Sequence, residues 1–307
     1  MQKSMKKYFW LFALPTLIAF AIAFLIPFIM GIYLSFTKFT TVTDITDFVG
    51  FKNYVKAFIA DNDFLHALGF TSLFTIVSIV TVNVLAFALA LLLTKGIKGT
   101  NFFRSVFFMP NLIGGIVLGY IWNLLINGVL QHYFGEDITF KTQYGFFGLV
   151  ILTNWQLIGY MMVIYIAGLQ NIPGDLIEAA SIDGASYMTI FVKIIWPLSK
   201  PILATIAIWC AVGHWNSFQD SLVLMSGAPK LKTLQERLYI YLNQSSNLAA
   251  SMGTATTGLS ETQRQEMLNT KSIQYTVAMV TAIPILCVYP FMQKYFVKGL
   301  MLGAVKG

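Results

Sequence analysis

Six long apolar stretches, set apart by shorter polar ones, organise the 307-residue chain. They run roughly over Trp10–Ser35, Phe70–Thr94, Val106–Leu130, Phe147–Gln170, Ile202–Leu224 and Ile273–Gln293. About 20 apolar residues carry a helix across the hydrocarbon core of a bilayer, so each stretch is long enough to span. The pattern therefore predicts an all-α membrane protein with six transmembrane helices. Pro15, Pro27, Pro110, Pro284 and Pro290 fall in or at the edges of these stretches. In lipid they are tolerated as kinks, because neighbouring helices can satisfy the freed backbone groups. The first stretch follows Lys3, Lys6 and Lys7, as a signal peptide would. Its apolar run is much longer than the usual 7–15 residues and no small-residue cleavage site closes it, so it is expected to stay as a span.

Composition agrees with this reading. The chain is 57% hydrophobic and 11% charged, against about 25% charged in ordinary soluble domains. Cys210 and Cys287 both lie inside apolar stretches and read as small core residues, which leaves no disulfide framework and no metal site. The net charge of +7 comes from residues that flank apolar stretches and form no continuous stripe, which suits a membrane surface better than nucleic acid. With the N-terminus in the cytoplasm, the inner segments hold Lys3, Lys6, Lys7, Lys95, Lys98, Arg104, Lys193, Lys200, Lys294, Lys298 and Lys306. Most of the acids, including Asp44, Asp47, Asp61, Asp63, Glu136 and Asp137, fall in the outer loops. The positive-inside rule then places both termini in the cytoplasm of a cell (inner) membrane. The polar outer stretches Thr37–Gly69 and Ser226–Ser272 are expected to form short helices or a small cap, and no soluble domain stands apart. The chain reads as one transmembrane domain over 1–307 with a core at about 66–296, an inner loop at 171–200 and an outer loop at 225–272.

The inner loop between the fourth and fifth stretches carries the most specific signal. Pro173 and Asp175 suit the first turn of a helix, where proline's fixed φ and a carboxylate near free amides are both favourable. Glu178, Ala179 and Ala180 continue it. Asp183 precedes Gly184, which permits a sharp break; Ser186 can cap a second helix and Pro197 is expected to end it. Two short helices at an angle follow, and small residues would let another surface approach closely. Taken alone, such a segment fits an ordinary connector as well as a docking element.

The register narrows the choice. Glu178, Ala179, Ala180, Gly184, Ile194 and Pro197 fall at the spacing of the EAA loop of permease subunits in type I ABC importers, and the segment resembles that loop; Trp196 stands where leucine is usual. Phe48–Tyr54 and Arg104–Pro110 resemble the carbohydrate-uptake, maltose-type branch of that family, and the tail Gly299–Gly307 resembles the partner-type permease. The resemblance implies a helix-turn-helix coupling loop in which Glu178 meets a basic residue of an ATPase and Gly184 is the hinge. It also implies the partners: a second homologous permease subunit, two ATPase subunits that carry ATP and Mg, and an extracytoplasmic solute-binding protein. No cofactor is expected on this chain itself, which has no phosphate-cradling G-x-x-x-x-G-K-[ST] segment.

Polar and aromatic residues inside the apolar stretches nominate a solute pathway. They are Trp122 and Asn123 in the third, Asn154, Gln156 and Tyr160 in the fourth, and His214, Trp215, Asn216 and Ser217 in the fifth. Aromatic faces beside amides and hydroxyls suit sugars, while interface anchoring and helix–helix bonding account for the same residue types. Tyr160 and His214 are the leading candidates, being placed by the resemblance where sugar-importing relatives have cavity contacts. Intramembrane catalysis needs positioned acids, bases or metal ligands, but Asp220 is the only acid and His214 the only histidine in the six stretches. An ion-coupled carrier would leave the EAA-like segment unexplained, whereas an importer of a non-sugar solute would not.

Overall fold

The structure is a computed structural model that describes residues 2–39, 45–59, 61–138, 142–225, 228–254 and 272–290. In chain order the elements are α1 (Gln2–Phe20), a π turn (Ala21–Leu25), α2 (Ile26–Ser35), β1 (Thr37–Phe39), β2 (Ile45–Phe48), α3 (Lys52–Ile59) and α4 (Asn62–Thr94). Next come α5 (Thr100–Phe108), a 3-10 turn (Met109–Leu112), α6 (Gly115–Phe134), α7 (Thr142–Leu169), α8 (Gly174–Ile182) and α9 (Tyr187–Ile190). A second π turn (Phe191–Ile195), α10 (Trp196–Trp215), α11 (Gln219–Leu224), a 3-10 turn (Pro229–Leu231) and α12 (Leu234–Thr254) follow, then α13 (Ser272–Pro290). The tail Gly299–Gly307 and the inner-face residues Lys294, Lys298 and Lys306 lie outside the described residues, as does most of the outer loop beyond Thr254.

Among the described residues five helices are long and apolar enough to cross a membrane: Ala13–Ser35, Asn62–Thr94, Gln143–Leu169, Tyr187–Trp215 and Ser272–Pro290. A bent pair, Thr100–Leu112 with Gly115–Phe134, makes a sixth if counted as one span. Helices are the natural outcome for such segments, because lipid offers the backbone no hydrogen-bond partners and only internal bonding satisfies it.

Three expected boundaries change. The stretch Val106–Leu130 is not one straight helix; it bends by 100° where Pro110 lacks an amide N–H and Ile113 and Gly114 adopt extended ψ values of 132° and 133°. The fifth span ends at Trp215 and not Leu224: Asn216 and Ser217 close a tight turn onto Val212 O and His214 O, and α11 is a separate short helix. The third change concerns Pro197, which was expected to end a short helix. Tyr187–Trp215 instead runs as one helix of 29 residues through both Pro197 and Pro201. The π turn at Phe191–Ile195 accounts for this. Trp196 N–H bonds Phe191 O, five residues back, so the widened helix relieves the clash a proline ring makes with the carbonyl four residues earlier. The same device precedes Pro27, where Ile26 N–H bonds Ala21 O.

Two compact units are separated by their internal contacts, Met1–Asn62 with Leu238–Ile283 and Asp63–Arg237 with Pro284–Gly307. In the first, β1 and β2 pair antiparallel with a bulge at Lys38/Phe39, a strand pairing the sequence reading did not anticipate. Asn53 Nδ2 donates to Ser35 O and Thr37 O, both at 2.9 Å, which ties α3 to the end of α2. Gly31 lets α2 approach Met279 of α13; a Cβ there would stand 3.0 Å from Met279 Cε.

The second unit is built on α4, α7 and α10. Val82, Ala86, Phe87 and Ala90 of α4 pack with Met161, Met162, Tyr165 and Ile166 of α7 and Ile206 and Cys210 of α10. A second cluster joins Phe70 and Phe74 to Leu118, Leu149, Leu152 and Leu224. Two polar pairs cross the α4–α7 seam. Asn154 and Thr81 bond each other at 2.9 Å, and Tyr165 OH donates to Asn83 Oδ1. Interhelical pairs of this kind contribute about 0.6 kcal/mol each in a membrane, so their main effect is to fix register. The closest approach is at Gly159, where a Cβ would lie 1.7 Å from Phe107 O; α7 rests directly on the backbone of α5.

Candidate functional site

The segment Ile172–Pro197 forms a hairpin of helices with a defined turn. Pro173 stands at the N-cap of α8 and Asp175 in its first turn. At the other end Gly184 takes φ +76°, Gly184 N–H bonds Ser181 O at 3.1 Å and Ala185 N–H bonds Ala180 O at 2.9 Å. This is the double-bonded left-handed closure that glycine makes cheaply. Ser186 then caps α9, its Oγ accepting from Thr189 N–H at 3.3 Å.

The hairpin is presented, not packed. α8 contains no buried residue, and Glu178, Ala179, Asp183 and Gly184 are exposed while Ala180 is half-buried. Leu176 and Ile182 of α8 are 46% and 79% exposed, and Tyr187 and Met188 at the start of α9 are 89% and 69% exposed. Among the described residues Glu178 has no ion-pair partner. The hairpin thus carries exposed apolar side chains on both sides of its turn, and an exposed carboxylate.

Below the turn, the hairpin is anchored by aromatics. Trp196 stacks edge-on against Phe87 of α4 with centroids 6.0 Å apart, and Phe191 lies 6.1 Å from Trp196. Phe87 in turn meets Tyr165 of α7 at 5.2 Å. Ile194 is half-buried in the π turn and Pro197 exposed. The tryptophan that departs from the usual leucine thus fills a ring cluster that links the hairpin to two spans.

The nominated pathway residues divide. Asn123 and Asn154 are bonded to other segments: Asn123 Nδ2 donates to Leu224 O at 3.1 Å, and Asn154 pairs with Thr81. Trp122 and Trp155 meet edge-to-face at 5.5 Å; Tyr160 lies 6.3 Å from Phe108 and 6.1 Å from Trp209. Gln156 and Trp215 are half-buried. His214 is only 2% exposed and sits edge-on to Phe74 at 5.2 Å, away from the aromatics around Tyr160, and its Nε2 has no hydrogen-bond partner. Asn216 accepts from Gln235 Nε2 at 2.8 Å. Beyond Ser217, the break at 216–218 brings Asp220 to the other break, where a Cβ on Gly115 would lie 3.3 Å from Asp220 Oδ1. Two interrupted helices therefore meet, an arrangement that frees polar backbone ends inside a membrane protein. Sequence reasoning missed that meeting. It also missed Asn83 and Thr81, although both are isolated polar residues in an apolar helix.

Among the described residues no group of three or more His, Cys, Asp or Glu is gathered as a metal site. The fold defines a polytopic, predominantly helical membrane protein. Residues 89–301 match the binding-protein-dependent transport system inner membrane component family, and the chain belongs to that family as a permease subunit. It is similar to the probable starch degradation products transport system permease protein AmyD of Thermoanaerobacterium thermosulfurigenes, with 40% identity over 258 residues, 81% of this chain and 87% of that one. The multiple sugar-binding transport system permease protein MsmF of Streptococcus mutans is 31% identical over 249 residues, 78% of this chain and 86% of that one. In structure it resembles a chain of a bacterial ABC transporter that imports the acidic polysaccharide alginate, with a TM-score of 0.71, 17% identity and coverage of 100% of this chain and 99% of that one.

Proposed function

We propose that this chain forms half of the membrane pathway of an ATP-driven importer for a sugar or oligosaccharide. In this reading the α8–α9 hairpin is the EAA loop through which a separate ATPase moves the spans. The observation that carries it is the exposure of Leu176, Glu178 and Ile182 on α8, a helix with no buried residue, and of Tyr187 and Met188 just past the turn. Glu178 makes the charge contact, Ala179, Ala180 and Asp183 shape the docking face, and Gly184 sets the angle. Ile194 and Pro197 pass the movement into α10. The Trp196–Phe87–Tyr165 rings give a rigid route from the hairpin to α4 and α7.

Sugar as the cargo rests on the relatives named for starch degradation products and multiple sugars, together with a trehalose/maltose permease of Thermococcus litoralis at 30% identity. The Trp122–Trp155 and Tyr160–Trp209 ring pairs and the polar meeting of the two helix breaks suit a polyhydroxylated solute. The partners are a second permease subunit, two ATPases holding ATP and Mg, and a solute-binding protein. A neighbouring alginate importer is known in complex with its periplasmic protein. The hairpin and both termini face the cytoplasm of the cell membrane.

Glu178→Lys tests the reading. Loss of ATPase co-purification and of uptake, with the chain still inserted and folded, is expected; unchanged assembly and transport would overturn it.

A further inference from the structure

A cleft of about 440 Å³ opens between Leu93 at the end of α4, the loop Gly96–Gly99, and Asn101 and Arg104 of α5. Gly96 and Gly99 take φ +71° and +86°, so the loop doubles back and leaves the space open. Arg104 forms one wall. Its Nε is buried without an acceptor, and among the described residues its guanidinium makes no ion pair. Lys95 and Lys98 stand on the same loop, and no Asp or Glu occurs between Asp63 and Glu136. Lys95 is held with its Nζ 5.9 Å from the Tyr187 ring centroid. A buried guanidinium nitrogen without an acceptor costs free energy, and an arginine without an ion pair beside a loop that carries two lysines attracts an anion.

The rim identifies the anion's carrier. Leu92, Phe102, Phe103 and Val106, which flank the lining residues Leu93, Asn101 and Arg104 along the chain, are 52%, 68%, 42% and 43% exposed, at the end of a 33-residue apolar span. A cleft walled by one arginine, beside exposed apolar side chains at the end of a span, suits a lipid, with phosphate inside and acyl chains outside. Thr100 Oγ1 already donates to Ile97 O at 2.6 Å, which leaves Arg104 and the Asn101 amide to meet the phosphate.

We propose that this cleft binds the headgroup phosphate of an anionic phospholipid, with Arg104 as its principal ligand. Each juxtamembrane cation is worth about 1 kcal/mol toward an anionic lipid surface, equivalent to roughly fivefold in affinity. The purified transporter complex, placed in nanodiscs of phosphatidylcholine with a minority of phosphatidylglycerol and examined by native mass spectrometry, provides the test. The complex is expected to retain phosphatidylglycerol selectively. Arg104→Gln should lower that retention about fivefold, and Arg104→Lys should keep most of it. Should Arg104→Gln fail to fold, Arg104→Lys and Lys98→Gln carry the comparison, with Lys98→Gln expected to lose part of the selectivity. Equal retention of the two lipids overturns the proposal, as does unchanged selectivity across these variants. Inorganic phosphate displacing the lipid completely would assign the cleft to a free anion. Loss of the ATPase subunit from Arg104→Gln with lipid retention intact would assign it to that partner.

Discussion

Gly159 offers the sharpest test of the packing. A methyl group there would stand 1.7 Å from Phe107 O and 2.2 Å from Phe107 C, about half an ordinary van der Waals separation. The obstructing atoms are backbone, so no rotamer change relieves the clash; α7 must move away from α5. Overpacking of this kind costs about 1–3 kcal/mol and occasionally more, and it also loosens the Phe108–Tyr160 contact. With about 2–4 °C per kcal/mol for chains of 150–250 residues, Gly159→Ala should lower the Tm in detergent by about 5 °C or more. Two controls calibrate it. Gly168→Ala meets a side chain and not backbone, with Ile202 Cδ1 at 2.3 Å and Cγ2 at 3.3 Å, and should cost less. Gly128→Ala meets nothing within 4 Å and should be neutral or slightly stabilising, since alanine is the better helix former. A thermal scan placing Gly159→Ala within a degree of the parent would refute the close approach.

Other outcomes follow from the same geometry. Gly184→Ala puts a Cβ at φ +76°, a left-handed conformation costing about 1–2 kcal/mol; ATPase co-purification should fall and the Tm should drop by about 2–8 °C. Trp196→Ala should reduce uptake more than ATP hydrolysis by emptying the ring cluster, whereas Trp196→Leu should preserve both; equal effects of the two variants would remove the relay. Glu236 is 1% exposed and accepts from Ser221 Oγ at 2.6 Å. Burial raises its carboxyl above the ordinary value of 4.5, against opposing pulls from Ser221, Lys232, Arg237 and the Thr233 backbone. The folded protein therefore favours the protonated acid, so this contribution is fully present below about 4.5 and lost as pH rises through the folded value. Glu236→Gln should accordingly raise the Tm at pH 8 relative to the parent and change it little at pH 4; a gain confined to pH 4 would reverse the assignment.

The spans were legible because lipid demands unbroken apolar runs, and the hairpin because Pro173, Gly184 and Ser186 act through local backbone rules that need no tertiary context. What escaped was set by packing. Pro197 ends helices by a local rule, yet a π turn four residues earlier absorbs it. The 100° bend after Pro110 is invisible to hydropathy, which continues through Ile113–Ile116 without a break. The resemblance put His214 beside the cavity; the packing puts it edge-on to Phe74 and buried. Asn123 and Asn154 were read as solute groups although their partners, Leu224 O and Thr81, lie 101 and 73 residues away. Composition alone cannot separate an amide that binds solute from one that binds a neighbouring helix.

The central claim is that the α8–α9 hairpin is the seat of an ATPase subunit. A photo-cross-linking residue placed singly at Ile182 or Tyr187, 79% and 89% exposed, and at Tyr133, 72% exposed at the end of α6, tests it in the assembled complex. Adducts to the ATPase from both hairpin positions and none from Tyr133 are the predicted result. An ATPase adduct from Tyr133, with the hairpin positions silent, would contradict the account.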